Sequence, residues 1–498
     1  MLRITLLTFL LVALLSCSAP EPRDVAGGGG YSVDPTRRPN IIVIVVDDLR
    51  FDEIGVAGHP FLETPNVDRL AREGALFSNA FNVVPLCSPN RACILTGQYP
   101  SRHGIIDNVA RDRLSHRLRT FPQDLQRGGY ETAFLGKWHM GNDPTPRPGF
   151  DLWAAIPGQG RTVNPELFED GRIHTVEGYV TDVLTDRAIS IIERGGEKPF
   201  FIYIGHKAIH PDTRQLDDGS VDLSVPRGYV PAPRHLGRYD EKVFPRRPNV
   251  VSSPDELVGK PALQRALRVK NSAEIVAEFG EDELDPGTSE ETIRRRSEMI
   301  LAVDEGLGRI VDALDRKGIL DSTFILFTSD NGFFYGEHGL SVERRLAYEE
   351  SIRMPLVVRF PAVARAGSLI GQLAASVDIA PTVLHIAGVP IGDHIQGRSL
   401  VPLLLGDVGD WRESVLIEFF TYENPFPWLV DMDYRAIRTL RYKYIHWVHY
   451  PDESELYDLA EDPYEMRNLA GEPRMAGVVR DLRAEMAAAV VDALGLPR

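Results

Sequence analysis

Only three cysteines, Cys17, Cys87 and Cys93, occur in 498 residues, so a disulfide-stapled scaffold has no framework to build on. Positive charge is also short: 55 Lys and Arg face 71 Asp and Glu, a formal net charge of −16. A sequence-independent grip on nucleic acid needs a basic face that releases counterions, so no nucleic-acid partner is expected. Long apolar runs are missing too, since the run 4–15 has only twelve residues and falls short of a membrane span. No short period runs through the chain, which excludes a coiled-coil or collagen-like fibre. What remains, 43% apolar and 25% charged residues, is globular composition. At this length a large α/β domain with a smaller companion is expected rather than one small core.

The amino terminus reads as a targeting signal. Arg3 gives a cationic start, the apolar run 4–15 follows, and Ser16 and Cys17 come directly after it. Residues 1–16 are therefore expected to be a signal peptide. The sequence Leu14-Leu15-Ser16-Cys17 resembles a bacterial lipobox, whose cysteine becomes a lipidated first residue; an ordinary signal peptide cut nearby is the alternative. Residues 17–38, with four consecutive glycines at 27–30, read as a flexible tether. The expectation is an exported protein, periplasmic or on the outer membrane, held to the membrane through a lipid anchor at Cys17.

Four apolar, β-branched runs end in polar clusters. Run 41–46 stops at Asp47 and Asp48, run 132–136 at Lys137, Trp138 and His139, run 200–204 at Gly205 and His206, and run 323–328 at Ser329, Asp330, Asn331 and Gly332. Near-continuous apolar runs suit strands buried on both faces of a largely parallel sheet. Helical patterns lie between them, one over 65–73 behind a Thr64 cap, another carrying Ile300, Val303, Leu307, Ile310, Val311 and Leu314. In open α/β sheets ligands bind outside the carboxyl ends of the strands, where all four clusters fall. Taken singly, each has a bland alternative: an Asp pair is usually a solvated strand end, and Asn331-Gly332 suits a hairpin turn. Taken together, Asp47, Asp48, Asp330 and Asn331 offer the oxygen donors that Ca²⁺ or Mg²⁺ wants.

Segment 87–97, CSPNRACILTG, is the most informative. Pro89 suits the first turn of a helix and Gly97 its stop, which puts Cys87 at the helix start and Arg91 one turn on, on the same face. A helix amino end beside an always-charged guanidinium is an anion site.

The pattern CxPxR followed by Thr-Gly resembles the signature of type I sulfatases, whose cysteine is converted to formylglycine. Similar blocks run along residues 39–470: Asp47-Asp48-Leu49-Arg50, Gly136-Lys137-Trp138-His139, His206-Lys207-Ala208-Ile209-His210-Pro211, Ser329-Asp330-Asn331-Gly332 and the stretch 348–355. The resemblance implies an alkaline-phosphatase-like α/β fold, a large mostly parallel sheet flanked by helices with a smaller C-terminal antiparallel sheet and helix. It implies a catalytic domain over 39–405 and a subdomain over 406–498. It also implies one Ca²⁺ bound by Asp47, Asp48, Asp330, Asn331 and residue 87, and a formylglycine made from Cys87 by a maturation enzyme. In that family the hydrated aldehyde attacks sulfur through one hydroxyl and is regenerated when the other loses its proton. By the same resemblance Arg91 steadies position 87, Lys137 holds sulfate oxygens, His139 accepts a proton and His210 protonates the leaving alcohol. The substrate class would be sulfated carbohydrate or another sulfate ester.

Two departures stand out. Where the family usually has a sulfate-contacting lysine in an Asp-Lys-Arg triplet, this chain has Glu343-Arg344-Arg345, which makes Arg344 the candidate substitute; a surface Arg344 paired with Glu343 or Glu349 is the alternative. Between 211 and 291 the family pattern is lost. There the run 227–247 carries six Lys or Arg against two Asp or Glu, which suggests either a solvated loop or a pocket wall that binds an anionic group. His338 is a further candidate pocket residue. Short β-branched runs at 415–419, 435–439 and 442–447, then a helical pattern over 475–494, make up the companion sheet. Two rival functions remain: a formylglycine-dependent phosphonate monoester or phosphodiester hydrolase, and a catalytically silent lipoprotein that binds sulfated polysaccharide.

Overall fold

The structure, a computed structural model, describes residues 38–222, 224–225, 227–280, 289–341, 344–421 and 426–496. The expected signal peptide, the lipidation site Cys17 and Glu343 lie outside these residues. Among the described residues, no helix is long and apolar enough to cross a membrane.

Continuous β-branched runs have no polar face to offer water, so they pair in the interior. Strand β1 (Asn40–Val46) lies between β7 (Phe200–Gly205) and β8 (Thr323–Ser329), parallel to both, and β3 (Glu131–Lys137) adds parallel to β7 and then to β4 (Leu152–Ile156). Further strands extend the two sides. One side carries β9 (Leu356–Arg359) and β2 (Ala75–Phe81), each antiparallel to its inner neighbour, and then β10 (Ser368–Ala375) parallel to β2; the other carries β5 (Glu166–Glu169) and β6 (Arg172–Thr175), both in antiparallel pairings. The described sheet thus has ten strands in the order β10-β2-β9-β8-β1-β7-β3-β4-β5-β6. β1 is buried along its length on both faces: Ile42, Ile44 and Val46 point into one apolar cluster, while Ile41, Val43 and Val45 alternate to the other side. The first cluster takes up α3 (Val180–Arg194) and α5 (Glu290–Arg316), and the residues 300, 303, 307, 310, 311 and 314 of α5 form its buried stripe.

The remaining long helices are α1 (Pro65–Glu73), α2 (Cys87–Thr96), α4 (Pro261–Lys270), α6 (Ile379–Ala387) and α7 (Ala476–Leu494). Thr64 does precede α1, but it does not cap it: its hydroxyl accepts from Gly55 N at 2.8 Å and donates to Asp68 at 3.1 Å. A second, four-stranded antiparallel sheet is built from β11 (Ser414–Phe419), β12 (Tyr434–Thr439), β13 (Tyr442–Trp447) and β14 (Glu455–Asp458), and α7 packs on it. Asn331-Gly332 makes no hairpin. The Gly332 N–H bonds to Ser351 O, and a Cβ at 332 would meet the Glu350 carbonyl oxygen at 1.9 Å, so glycine is there for close approach.

Gly136, next to the last residue of β3, has φ +106° and a position where a Cβ would lie 2.1 Å from the Gly205 carbonyl oxygen. Gly171, in the exposed β5–β6 turn, has φ +77° with nothing within 4 Å. Thermal melts should separate the two: Gly171→Ala should cost about 1 kcal/mol, whereas Gly136→Ala, which needs strands β3 and β7 to part, should cost on the order of 3 kcal/mol or more. Equal melting temperatures for the two variants would contradict this packing.

Candidate active site

Because β8, β1, β7 and β3 are neighbours in one parallel array, their carboxyl ends share one edge. Register sets them level: Val45 pairs with Gly205, Val46 with Ser329, and Gly136 with Gly205. Asp330 and Asn331, Asp47 and Asp48, His206, and Lys137 with His139 are therefore delivered to the same place. Consecutive strand residues ordinarily point to opposite faces. Asp48 breaks that alternation by adopting φ 58°, and His139 adopts φ 61°, left-handed conformations that are uncommon for residues with a Cβ. The chain turns at each and keeps its neighbouring polar side chains within the site.

Helix α2 brings its amino end to this edge, with Cys87 and Arg91 both buried. Cys87 Sγ lies 3.9 Å from Asp48 Oδ1. Arg91 binds Asp330 Oδ2 through Nε at 2.8 Å, donates Nη1 to the Lys137 carbonyl at 2.9 Å, and has Nη2 3.5 Å from Asp47 Oδ2. Lys137 Nζ is ion-paired with the same Asp47 oxygen. Arg344 Nε sits 3.2 Å from Asp48 Oδ1 and its Nη2 3.4 Å from His210 Nε2. Glu349 does not hold Arg344; it is bound to Arg438 at 2.9 Å and Lys443 at 3.2 Å.

Burial and neighbouring charge set the protonation states. Burial alone would raise Asp47, but the Lys137 and Arg91 charges outweigh it and hold the carboxyl well below its usual range. Burial, reinforced by the Asp47 charge, pushes Asp330 up to about 7. The Cys87 thiol is pushed well up by burial, and the three nearby carboxylates add to this against Arg344. A neutral, buried thiol is a poor nucleophile. His139 and His210 are both held well below the usual imidazole range, first by burial and then by Lys137. His210 Nδ1 donates to the Pro211 carbonyl at 2.9 Å, which leaves Nε2 as the acceptor facing Arg344.

Three buried oxygens here, Asp47 Oδ1, Asp48 Oδ2 and Asn331 Oδ1, have no hydrogen-bond partner. Ligand atoms of Asp47, Cys87 and Asp330 lie within 4.8 Å of one another. Unpaired buried oxygens from two carboxylates and an amide are costly alone and are the donors a hard divalent cation takes. The residues present therefore fit a metal ion of that kind.

Beside this centre is a cavity of about 50 Å³, lined by Asn108, Gln159, His210, Pro211, Thr213, Gln215, Val221, Arg227, Tyr229, Phe333, Arg344, Arg345 and Phe426. Much of its wall comes from the segment after Pro211. Of the six cations in 227–247, only Arg227 lines it. Arg234 is paired with Asp182 and Glu305, Arg238 with Glu63, and Arg247 with Asp52 and Glu337, so three of the six neutralise acids of the fold. His338 is not a pocket residue. It is fully buried, stacks on Tyr348 at 4.0 Å and has Nδ1 3.1 Å from Lys260 Nζ. A larger cavity of about 530 Å³, between Phe51, Arg247, Arg353 and Tyr464, contains none of the expected site residues, and Arg353 and Arg247 there are already engaged with Ser78 O and Asp52.

Sequence reasoning placed Lys207 in a family block without giving it a role, and missed Asn108, Gln159 and Gln215. Lys207 is buried, bound to Asp212 at 2.9 Å and to the His210 and Pro211 carbonyls, and so fixes the loop that presents His210. Gln215 bonds His139 at 2.7 Å. No periodicity or motif marks Asn108, Gln159 or Gln215, because each acts through a contact between distant segments.

Comparison with known proteins shows which family and fold the chain shares. A sulfatase family profile matches residues 39–389, and a profile for the N-sulphoglucosamine sulphohydrolase C-terminal region matches 336–492. An N-acetylglucosamine-6-O-sulfatase of Bacteroides thetaiotaomicron is 33% identical, covering 96% of this chain and 88% of that protein. An ulvan-active sulfatase of Formosa agariphila is 26% identical over 91% of this chain and 81% of its own length. A protein solved in complex with its substrate D-glucosamine-2-N,6-O-disulfate superposes with a TM-score of 0.75 at 32% identity, covering 92% of this chain and 98% of the other.

If the unpaired oxygens hold a cation, adding Ca²⁺ or Mg²⁺ should raise the melting temperature. The stabilisation should reach about 2.7 kcal/mol at a hundredfold excess over Kd. Asn331→Ala should weaken the response, and a melting temperature indifferent to both ions would refute the site.

Proposed function

The chain belongs to the sulfatase family and is a sulfatase, and we propose that it cleaves sulfate monoesters on extracellular glycans through a formylglycine at position 87 and one bound Ca²⁺. The observation that carries this reading is the convergence of Cys87 and Arg91 with Asp47, Asp48, Asp330 and Asn331 in one buried place that leaves oxygens unpaired. A thiol whose ionisation is suppressed there would serve poorly as it stands, which supports conversion of Cys87 by a maturation enzyme.

When bound, Ca²⁺ would supply charge that polarises a sulfate oxygen, and the modified residue would supply an oxygen nucleophile in place of the thiol. The carboxylates of Asp47, Asp48 and Asp330 with the Asn331 amide would be the metal's protein ligands. Arg91, locked between Asp330, Asp47 and the Lys137 carbonyl, fixes the start of α2 and so the position of residue 87. Lys137 and Arg344 present charged donors to the sulfate oxygens. His139, neutral, takes a proton during release of sulfate, and His210 gives one from Nε2 to the leaving alcohol once an anionic ester favours its imidazolium form.

The segment after Pro211 walls one side of the site, which supports action at chain ends rather than within a continuous chain. Two relatives named for 6-O-sulfated or N,6-O-disulfated glucosamine support that sugar class, and Arg227 and Arg345 in the wall suit a second anionic group. We assign catalysis to residues 39–405 and support of the site to 406–498, with export and a lipid anchor at Cys17 placing the enzyme in the periplasm or on the outer membrane.

The decisive measurement is the mass of the peptide containing residue 87 in protein from its native host, joined to turnover of an aryl sulfate. An unmodified thiol would sink the mechanism, and aryl phosphonate cleaved faster by orders of magnitude would make the protein a phosphonate hydrolase. A second measurement addresses Arg344. Arg344→Ala should lower kcat by ~10²–10³-fold, the usual effect of removing one transition-state donor, while Arg344→Lys keeps a substantial part; near-wild-type kcat in Arg344→Ala would remove it from the catalytic set.

A further inference from the structure

We propose that Gln215 is a positioning residue that fixes the tautomer of His139, and that this control comes from a hairpin outside the family blocks. The proposal rests on the reading of His139 as the proton acceptor. Gln215 Nε2 donates to the Gly219 carbonyl at 2.8 Å, and a carbonyl can only accept, so the amide orientation is set. Its Oε1 then faces inward, 2.7 Å from His139 Nε2 and 3.1 Å from Gln159 Nε2. Two donors converge on one acceptor. His139 must therefore carry its proton on Nε2, which leaves Nδ1 with the lone pair. His139 Nδ1 is buried and has no hydrogen-bond partner among the described residues. A buried imidazole nitrogen with its lone pair unused is costly in a resting fold and is what a proton acceptor needs. In the proposed reaction the proton would leave a hydroxyl at position 87 for Nδ1, the O–H bond pair would become the C=O bond of the regenerated aldehyde as the C–O bond to sulfate breaks with its pair on sulfate, and the imidazolium would keep its Nε2–H on Gln215.

The hairpin is held at several points, so the glutamine is preorganised. At its base Asp212 pairs with Gly228, and the Asp212 carboxylate binds Lys207 Nζ at 2.9 Å and Thr162 N at 2.9 Å. Higher up Gln215 pairs with Val221, and Leu216 N donates to Ser220 O at 2.8 Å. At the tip Asp217 O accepts from Ala110 N at 2.9 Å, and the Asp217 carboxylate accepts from Asn142 Nδ2 at 2.7 Å. A residue that only filled space would need none of this polar anchoring.

The test uses the matured, metal-loaded enzyme and an aryl sulfate, a probe too small to report glycan contacts. Gln215→Met keeps the volume and removes the acceptor; Gln215→Glu keeps an acceptor. The Met variant should lose at least ~10-fold in kcat with KM within about threefold, comparable to other losses of a group that orients a reactive imidazole, and the Glu variant should stay within about threefold of wild type. ¹⁵N-histidine spectra of the wild type, with His139 assigned by the loss of its signals in His139→Ala, should show the Nε2–H tautomer, a readout that needs no Gln215 variant to fold. An Nδ1–H tautomer, full kcat in Gln215→Met, equal losses in both variants, or a loss confined to KM would each overturn the proposal. Wild-type turnover of the aryl sulfate stands apart from these outcomes, so its absence would fail the proposed function and not the assignment of Gln215.

Discussion

Burying charges of both signs at one sheet edge is the constraint on which the rest of this protein depends. Asp47, Asp48 and Asp330 are almost wholly removed from water, and so are Lys137 and Arg91. A lone ion there would cost several kcal/mol, and removal of one partner of such a set leaves its neighbours uncompensated. The cluster is tolerable only while β1, β7, β8 and β3 hold their register, since a slip of one residue would turn each side chain to the opposite face. The apolar faces of those strands, packed on α3 and α5, supply the burial that makes the register strict. Core and site are thus one problem: the hydrophobic pattern aligns the strands, and the alignment sets the charges against one another.

The smaller sheet takes part in the same arrangement. Glu349 is buried between Arg438 of β12 and Lys443 of β13, and although burial pushes it up, these two cations hold its carboxyl well down. Glu465 pairs with Lys443 and sits at about 7, raised first by burial. This second buried network docks the segment that follows the loop carrying Asp330 and Asn331. Tyr434 of β12 donates to the Arg345 carbonyl at 2.8 Å, and Ser351 donates to the Arg344 carbonyl, so the four-stranded sheet sets where the two arginines emerge. His338, a residue that might have faced the substrate, is instead spent in this network beside Lys260 and Glu350.

The hairpin after Pro211 is where this chain diverges from its family's blocks while remaining in contact with its chemistry. It closes the cavity with Thr213, Val221, Arg227 and Tyr229 and touches His139 through Gln215. The wall is thus attached to the centre without supplying any of its unpaired oxygens, and the Lys207–Asp212 pair is the joint between the two.

By itself the sequence determined the four central strands, because each is a near-continuous apolar run, and it determined that the polar groups lie at their carboxyl ends. It also marked Cys87 and Arg91 as one face of a helix start, because Pro89 and Gly97 bound that helix in the local chain. It did not reveal β9, β10 or the antiparallel additions, whose runs are short or broken by glycine and polar residues. It left 227–247 open between a solvated loop and a basic wall, whereas three of those six cations pair with acids far away in the chain, Asp182, Glu63 and Asp52 among them. Only the tertiary structure decided that Arg344 meets Asp48 and His210, that His338 turns away, and that Gln215 meets His139. The physical reason is the same each time. Local pattern encodes which side of a strand or helix is apolar, whereas the partner of a polar side chain is set by which distant segment the folded sheet brings within hydrogen-bonding reach.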